Sequence, residues 1–282
     1  IYLEEEYNSR KWSSFGSRVT LGNMESYLII CLYLVYKNCH QDFNIIVLND
    51  QNIFYYLPNL NIKMGPDSII PLNQRRDLIS FMLLYYYGGI WYNPHTILMK
   101  NLYPIYQLTK QYDMILFGCP SEYYQCNNGY LKPERQIIIS RPNLKINYLC
   151  FKEIYKKIQE QMSPAYNFNL TGDCIFWKYL KQLSYYNNFN YLHLNSEYDG
   201  TRDYNYKVIT INNWLSTNQT LFLNEDKVIF VSLNQQQLNQ HFHYKWFIRF
   251  SLNQILNSQL WIASLFRKAL KIPDKYFYDN QS

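Results

Sequence analysis

One stretch of the chain, residues 76–99, places the strongest limit on what this sequence can fold into. Residues 78–87 are apolar on nearly every side, which is typical of a helix buried in a core. Gly88 and Gly89 follow, and Gly88 suits the left-handed conformation that often ends a helix. Short apolar runs on either side of a polar corner at residues 93–96 predict two strands. The stretch therefore predicts a helix, a double glycine, a strand, a tight corner and a second strand.

The first fifty residues predict a strand, a helix and another strand. Residues 11–15 have the pattern of a short first strand, and residues 24–36 carry apolar side chains at helical spacing. Residues 43–48 form a β-branched apolar run bounded by polar residues, which is typical of a strand buried on both faces of a parallel sheet. This order implies a right-handed βαβ unit. Asn49 and Asp50 would then follow a strand at its carboxyl end, where open α/β sheets bind ligands.

The rest of the chain continues this alternation of strands and helices. We predict strands at residues 114–117, 137–139 and 228–233, and helices at 144–162, at 175–183 and within 246–269. The sequence contains no internal repeat and no low-complexity linker. The predicted fold is therefore α/β, a single domain over residues 1–282 with a Rossmann-like, mostly parallel central sheet flanked by helices.

Composition narrows the classes of ligand and partner. The chain carries 48% hydrophobic residues, enough for a sizeable core, and its net charge of +6 is compatible with an anionic ligand such as a nucleotide diphosphate. Its basic residues form no continuous stripe, so we do not expect a nucleic-acid partner. No run approaches the ~20 apolar residues of a membrane span. Because the sequence begins at Ile1 rather than Met, we expect a trimmed chain and allow for a membrane anchor upstream.

Residues 77–98 resemble the sugar-binding region of family 32 glycosyltransferases, whose pattern is also found in the clostridial glucosylating toxins. The likeness lies in 76–78 (RDL), 87–92 (YGGIWY) and 93–96 (NPHT). It is stronger still to the capsular-polysaccharide-synthesis-like glycosyltransferases of giant DNA viruses. Weaker matches to that viral group occur at residues 12–18, 69–77, 117–119, 140–142 and 198–203, so the resemblance spans most of the chain.

The resemblance implies a GT-A fold that binds a nucleotide-sugar donor, a UDP- or GDP-hexose. By analogy, Trp12 and Gly16 would hold the nucleotide, and Gly89 would belong to the donor-binding set. Asp77 matches a family residue that bonds donor hydroxyls, and a carboxylate suits this because it accepts two hydroxyl donors at once. Two plainer interpretations stay open: Trp12 as a core residue, and Asp77 as a charge favoured near a helix N-terminus.

The chain departs from the family at the metal site. In the family an Asp-x-Asp motif holds Mn²⁺ or Mg²⁺, which bridges the diphosphate. Asn93 and His95 stand in those two positions here. An amide oxygen and a neutral imidazole nitrogen are permissible ligands for Mn²⁺. Because the site loses two formal negative charges, we expect any dication to bind much more weakly.

Three explanations of this departure stay open. The protein has lost catalysis and keeps a sugar-binding or scaffold role. Alternatively, it works without metal, with a cationic His95, Arg141 or Arg202 stabilising the diphosphate. In the third explanation a weak metal site persists with help from elsewhere, and the His241–His243 pair near Trp246 makes His243 the candidate ligand.

A late acidic loop completes the candidate site. Asp199 and Asp203 lie in residues 198–203 (YDGTRD) and are candidates for acceptor binding or acid/base work, although turn chemistry alone explains Asp-Gly. The nucleotide-sugar half is expected at about residues 1–120 and the acceptor half at about 121–282.

Taken with the resemblance, these features predict a hexosyltransferase, retaining by analogy, that acts on a glycan or glycoprotein acceptor. The alternative is an inactive homologue that binds sugar or serves as a scaffold. The viral resemblance implies a location in the host cytoplasm or viral factory, or in the lumen of the Golgi or ER if an anchor was removed. It also implies a product on the virion surface.

Overall fold

The computed structural model describes residues 1–3, 24–65, 68–118, 134–161, 172–186, 189–203, 205, 207, 209–217, 223–224, 226–233, 238 and 246–273. The predicted first strand at residues 11–15 lies outside this part of the chain. None of the helices in the described residues combines the length and the apolarity that a membrane crossing requires.

The described residues form a mixture of helices and strands. The helices are α1 (Ser26–Cys39), α2 (Ile53–Tyr56), α3 (Leu72–Tyr86), α4 (Tyr103–Tyr106), α5 (Lys145–Gln161), α6 (Gly172–Tyr185), α7 (Ile211–Trp214), α8 (Leu252–Asn257) and α9 (Trp261–Leu270). The strands are β1 (Gly89–Tyr92), β2 (Thr96–Leu98), β3 (Met114–Phe117), β4 (Glu134–Ser140), β5 (Tyr191–Leu194) and β6 (Phe230–Ser232). Short 3₁₀ turns occupy Gln107–Lys110 and Phe247–Arg249.

The chain divides into two compact units, each built from several segments. Unit 1 comprises Ile1–Glu5, Ile46–Asn93 and Pro104–Leu194. Unit 2 comprises Glu6–Ile45, Pro94–Tyr103 and Asn195–Ser282. The single domain expected over residues 1–282, and its division near residue 120, stay predictions.

Unit 1 contains a four-stranded sheet in the order β1-β4-β3-β5. β4 runs antiparallel to both β1 and β3, while β3 and β5 are parallel. The α/β class is confirmed, but a mostly parallel sheet is wrong for the described strands, because two of these three pairings are antiparallel. Periodicity reports which side of a strand is buried and not the direction of its neighbour.

The βαβ prediction for the early chain is also wrong in part. Residues 43–48 do not form a strand; Leu48 makes one isolated parallel bridge, with Tyr2. Ile46 and Val47 are 43% and 46% exposed, so the β-branched run is not buried on both faces. The pairing of this segment with the predicted strand at residues 11–15 lies outside the described residues.

The helix that the sequence predicts most strongly is α3, and it lies in the core of unit 1. Its buried residues include Leu78, Phe81 and Leu84, and it packs against α5, which in turn packs against α6. Gly88 follows with a φ of 65°, and its N–H donates to the Leu84 carbonyl over 3.1 Å. The left-handed glycine therefore ends the helix as the sequence predicts and turns the chain into β1.

Unit 2 is organised around a two-stranded antiparallel ribbon of β2 and β6. α1 and α9 pack against β2. The side-chain amide of Asn38 in α1 donates to the Leu98 carbonyl over 3.2 Å, which ties the helix to the end of β2. The polar corner at residues 93–96 leads directly into β2, as predicted.

Candidate functional site

The carboxylate of Asp77, a predicted site residue in unit 1, is held by two partners. Asp77 is buried in α3, and its Oδ1 forms an ion pair with the guanidinium of Arg135 at the start of β4. Its Oδ2 accepts a hydrogen bond of 3.0 Å from the N–H of Gly172, the first residue of α6. We refer to Asp77, Arg135 and Gly172 as the Asp77 cluster.

Both partners of Asp77 stabilise its negative charge. Burying a carboxylate is costly unless it is paired and hydrogen-bonded, and Arg135 supplies the opposite charge. The first N–H groups of a helix lack partners within the helix and carry partial positive charge. The start of α6 therefore stabilises the same carboxylate, and together the two contacts fix its orientation.

A side chain at position 172 would press against the side chains of Asp77 and Arg135. A Cβ on Gly172 would lie 2.7 Å from Cγ of Asp77 and 2.9 Å from Nη1 of Arg135. Contacts this short do not occur between a real Cβ and its neighbours. A side chain at this position would therefore displace the Asp77 carboxylate and the Arg135 guanidinium from their present places.

Asn93 reaches the same end of β4. Its backbone N–H donates to the carbonyl of Gln136 over 2.7 Å, and Gln136 follows Arg135 directly in the chain. Asn93 itself is 8% exposed. The structure therefore brings Asp77 and Asn93 to the first residues of one strand, by way of Arg135 and Gln136.

A second buried ion pair lies close by in sequence on α3. Arg75 is 2% exposed, and its Nη1 lies 3.7 Å from Oδ2 of Asp50. The hydroxyl of Tyr2 donates to Oδ1 of Asp50. The sequence placed Asp50 at a strand end but did not identify Arg75 or Tyr2 as its partners, since only the fold brings them together.

His95 is a buried, hydrogen-bonded residue of unit 2. It is 1% exposed, and its Nδ1 shares a hydrogen bond of 2.8 Å with the hydroxyl of Tyr27 in α1. Its carbonyl accepts the N–H of Leu233 over 2.8 Å. These contacts give His95 a structural role at this corner, and that role requires no ligand.

The described residues do not fit a Mn²⁺ or Mg²⁺ site. Asn93 and His95 offer only neutral donors, whereas hard dications prefer carboxylate oxygens, and Nδ1 of His95 is already engaged by Tyr27. In the part of the chain that the structure describes, no three His, Cys, Asp or Glu side chains gather in a group that could hold a metal ion. We therefore assign no chemical step to a metal at these positions.

Gly89 and Arg141 lie at the opposite end of the β1–β4 pair from Asn93. Gly89 pairs with Ser140, at the end of β4 remote from Arg135. With a rise of about 3.3 Å per residue, Arg135 and Arg141 are about 20 Å apart along the strand. The guanidinium of Arg141 contacts the Thr109 carbonyl at 2.5 Å and Oδ1 of Asp113 at 3.3 Å. The structure does not bring Gly89 or Arg141 together with Asp77.

Asp199 and Asp203 organise the loop in which they lie. Oδ1 of Asp199 accepts hydrogen bonds from the N–H and the hydroxyl of Thr201, at 2.9 and 2.6 Å. Oδ1 of Asp203 accepts the N–H groups of Asn205 and Lys207, each at 2.9 Å. Both aspartates and the intervening Arg202 are buried. Turn chemistry thus explains the two carboxylates locally.

Glu25 is a buried acid of unit 2 that the sequence did not single out. It is 4% exposed at the N-cap of α1, and within the described part of the chain its Oε2 has no hydrogen-bond partner. Burial raises the pKa of the Glu25 carboxyl from 4.5 to about 8. The Glu25 carboxyl therefore keeps its proton to a higher pH than an exposed glutamate does.

Three of the predicted site residues, Trp12, Gly16 and His243, lie outside the described residues. Comparisons of the chain with protein-family models, with curated proteins and with solved structures returned no match. The glycosyltransferase family therefore stays a prediction from the sequence.

Proposed function

We propose that the chain is a GT-A-type glycosyltransferase-like protein that binds a nucleotide-sugar and transfers its hexose to a glycan or glycoprotein acceptor. The supporting observation is the fixed Asp77 carboxylate, held by Arg135 and by the start of α6. In this proposal Asp77 accepts hydrogen bonds from hydroxyls of the donor sugar. The backbone N–H of Asn93 bonds Gln136 at the same end of β4, and in this proposal Asn93 lines the same site.

A carboxylate fixed in this way is well suited to a sugar. Its orientation is set before the ligand arrives, so binding loses less side-chain freedom. Charge-assisted hydrogen bonds to a carboxylate are also stronger than neutral ones. Arg135 offsets the cost of burying the charge, which lets Asp77 remain in a site that excludes water.

The proposed site works without a dication at positions 93 and 95. Neither residue carries a negative charge at neutral pH, so the donor set there is poor for Mn²⁺ or Mg²⁺. Donor binding should accordingly be the same with Mn²⁺ and with a chelator.

A sugar-binding protein without catalysis is the second candidate function. The observation that favours it is His95, which is almost fully buried and hydrogen-bonded to Tyr27. A histidine held in this way has a structural explanation and does not replace the charge that the family places there. In this candidate the Asp77 cluster still binds the sugar but no bond is broken.

The experiment that tests the proposal compares two aspartates that have the same kinds of partner, although Asp77 is more deeply buried than Asp113. Asp77 and Asp113 each pair with an arginine and accept one backbone N–H. We expect UDP- or GDP-hexose binding, measured by calorimetry on folded protein, to weaken at least about tenfold in Asp77→Asn. Asp113→Asn should bind like the parent. Absence of binding to any donor by the folded parent would overturn the proposal, as would equal effects of the two variants.

Turnover separates the two candidate functions. Donor hydrolysis or transfer by the parent that is lost in Asp77→Asn supports the transferase. Donor binding that depends on Asp77 without any release of nucleotide diphosphate supports the sugar-binding alternative.

A further inference from the structure

Four aromatic side chains form a surface patch in unit 1, where the end of α3 packs against the first half of α5. We call these residues the aromatic patch: Tyr85, Tyr86, Tyr148 and Phe151. The ring centroid of Tyr85 lies between 5.1 and 5.6 Å from those of the other three. Tyr86 and Tyr148 are 49% and 38% exposed. The patch therefore presents tyrosine rings to solvent above a base of packed rings.

Packing within the aromatic patch orders its rings before any ligand arrives. The Phe151 ring lies 5.3 Å from that of Tyr148 and 6.3 Å from that of Tyr86. Aromatic pairs at such distances attract each other beyond the burial of their area. A tyrosine held in this way loses little side-chain freedom on binding, so it gives a rigid contact surface.

Lysines on the outward face of α5 give the aromatic patch a positive charge. Lys145 and Lys152 are exposed and lie three residues before and four residues after Tyr148, the spacing of neighbours on one helix face. Nζ of Lys152 lies 5.4 Å from the centroid of the Tyr148 ring. In the described part of the chain, neither lysine forms an ion pair; Glu153 is paired instead with Lys178, over 2.8 Å. This charge is therefore available to an acidic partner.

Exposed tyrosine rings beside two unpaired lysines are suited to an acidic glycan. The C–H face of a sugar packs on an aromatic ring, while the tyrosine hydroxyl stays free to bond sugar hydroxyls. Lysine makes charge-assisted hydrogen bonds to the carboxylates of acidic sugars. A nucleic acid suits the surface less well, because every nucleotide carries a charge, whereas Lys145 and Lys152 are about 10 Å apart along α5.

We propose that the aromatic patch binds an acidic glycan, with Tyr148 stacked on a sugar ring and Lys145 and Lys152 paired with carboxylates of the glycan. The choice of a glycan rests on the proposed function, which assigns a glycan or glycoprotein acceptor; this inference adds the charge of that acceptor and the surface that holds it. Tyr85 follows Asp77 by eight residues in α3, about 12 Å along the helix axis. The aromatic patch is therefore separate from the Asp77 cluster.

The test titrates the folded protein, without nucleotide-sugar, with tetragalacturonate, a chain of four hexuronic acids, and with the neutral maltotetraose. We expect the parent to bind the acidic chain more tightly, and this preference to shrink at high salt, which screens exposed charges. Tyr148→Ala should weaken binding of both chains about three- to tenfold. Lys152→Gln should weaken binding of the acidic chain alone, about two- to fivefold.

Matched variants control for the loss of a ring or of a charge. Tyr148→Phe keeps the ring and should bind maltotetraose like the parent. Tyr33→Ala removes a tyrosine that is 52% exposed on α1, and Lys271→Gln removes an exposed lysine that follows α9. Both should leave the affinity for tetragalacturonate unchanged. Thermal unfolding of each variant ensures that folded proteins are compared.

Several results would overturn the inference. They are absence of tetragalacturonate binding by the parent, equal affinity of the parent for the two tetrasaccharides, and full affinity in Tyr148→Ala. Tighter binding of an oligothymidylate or of phosphatidylserine vesicles, lost in Tyr148→Ala, would assign the aromatic patch to nucleic acid or membrane. A parent dimer that dissociates in Tyr148→Ala during sedimentation would make it a subunit contact.

Donor binding separates failure of this inference from failure of the proposed function. Asp77→Asn should leave tetragalacturonate binding unchanged, and Tyr148→Ala should leave binding of a UDP- or GDP-hexose unchanged. If the parent binds no nucleotide-sugar but binds tetragalacturonate through Tyr148, only the proposed function fails. If donor binding depends on Asp77 and no tetragalacturonate binds, only this inference fails.

Discussion

The hydroxyl of Tyr27 lies 2.8 Å from Nδ1 of His95, and both side chains are almost fully buried. The two rings are also close, with centroids 5.9 Å apart. The hydrogen bond joins α1 to the corner that precedes β2 within unit 2. His95 therefore helps to hold this corner against α1.

Removal of that hydroxyl should destabilise the protein. Tyr27→Phe leaves a buried imidazole nitrogen without its partner, and we expect the free energy of unfolding to fall by about 1–3 kcal/mol. Urea denaturation measures the change. Tyr33→Phe is the control, because Tyr33 lies on the same helix and is 52% exposed. Equal stability of the two variants would contradict the assignment of this hydrogen bond.

A methyl group at position 172 should disturb the Asp77 cluster. Gly172→Ala places a carbon against Asp77 and Arg135, so the carboxylate has to move. We expect a loss of stability of about 1–3 kcal/mol together with a loss of donor binding, measured by thermal unfolding and calorimetry. Ser184→Ala, near the other end of α6, should leave donor binding unchanged. Full donor affinity in folded Gly172→Ala would show that the position of Asp77 does not matter to the ligand.

The two glycines after α3 should respond differently to the same substitution. Both have positive φ, 65° at Gly88 and 86° at Gly89, so alanine is strained at either position. A Cβ at Gly88 would also lie 2.7 Å from the backbone nitrogen of Pro142, whereas a Cβ at Gly89 meets nothing within 4 Å. We expect Gly88→Ala to be less stable than Gly89→Ala by about 1–3 kcal/mol in urea titrations. Equal losses would mean that backbone strain alone sets the cost.

Metal dependence should appear only after the lost charges are restored. We expect donor binding by the parent to be the same in Mn²⁺ and in EDTA. The double variant Asn93→Asp, His95→Asp supplies two carboxylates and should bind donor more tightly with Mn²⁺ than without it. Calorimetry in the two buffers measures both. A parent whose donor binding disappears in EDTA would contradict the proposed metal-free site.

The local features of residues 76–99 were predictable because each depends on neighbours in sequence. The apolar helix, the left-handed Gly88 and the corner at 93–96 all follow from periodicity and from backbone preference. The partners of Asp77 were not predictable, since Arg135 and Gly172 lie 58 and 95 residues away. The sequence instead predicted Arg141 as a site residue, because it lies in a weak match to the family. The structure places Arg141 at the far end of β4.

The errors in the sheet have a similar cause. β5 was not predicted, and its four residues are each only half-buried, so the strand lacks the run of apolar side chains that marks β3. Residues 43–48 have that run and yet form no strand; among these described residues, only Leu48 makes a β-bridge, with Tyr2. Pairing direction and partner choice are properties of the whole fold, and a short apolar segment does not encode them.

The buried carboxyl of Glu25 should make stability fall as pH rises. Its pKa is about 8 in the folded state, against an ordinary value of 4.5, because burial disfavours the charged form. Below pH 4.5 the carboxyl is protonated in both the folded and the unfolded chain, so burial carries no electrostatic penalty. Between pH 4.5 and about 8 only the unfolded chain ionises at this residue, and the free energy of unfolding falls through this window.

Glu25→Gln cannot ionise at position 25 and escapes this loss, so its stability relative to the parent should increase across the window by an amount on the order of a few kcal/mol. Urea titrations at several pH values measure the difference, and Glu160→Gln, at an exposed position, should track the parent. Parallel stability curves for Glu25→Gln and the parent would show that this carboxyl ionises normally in the folded protein.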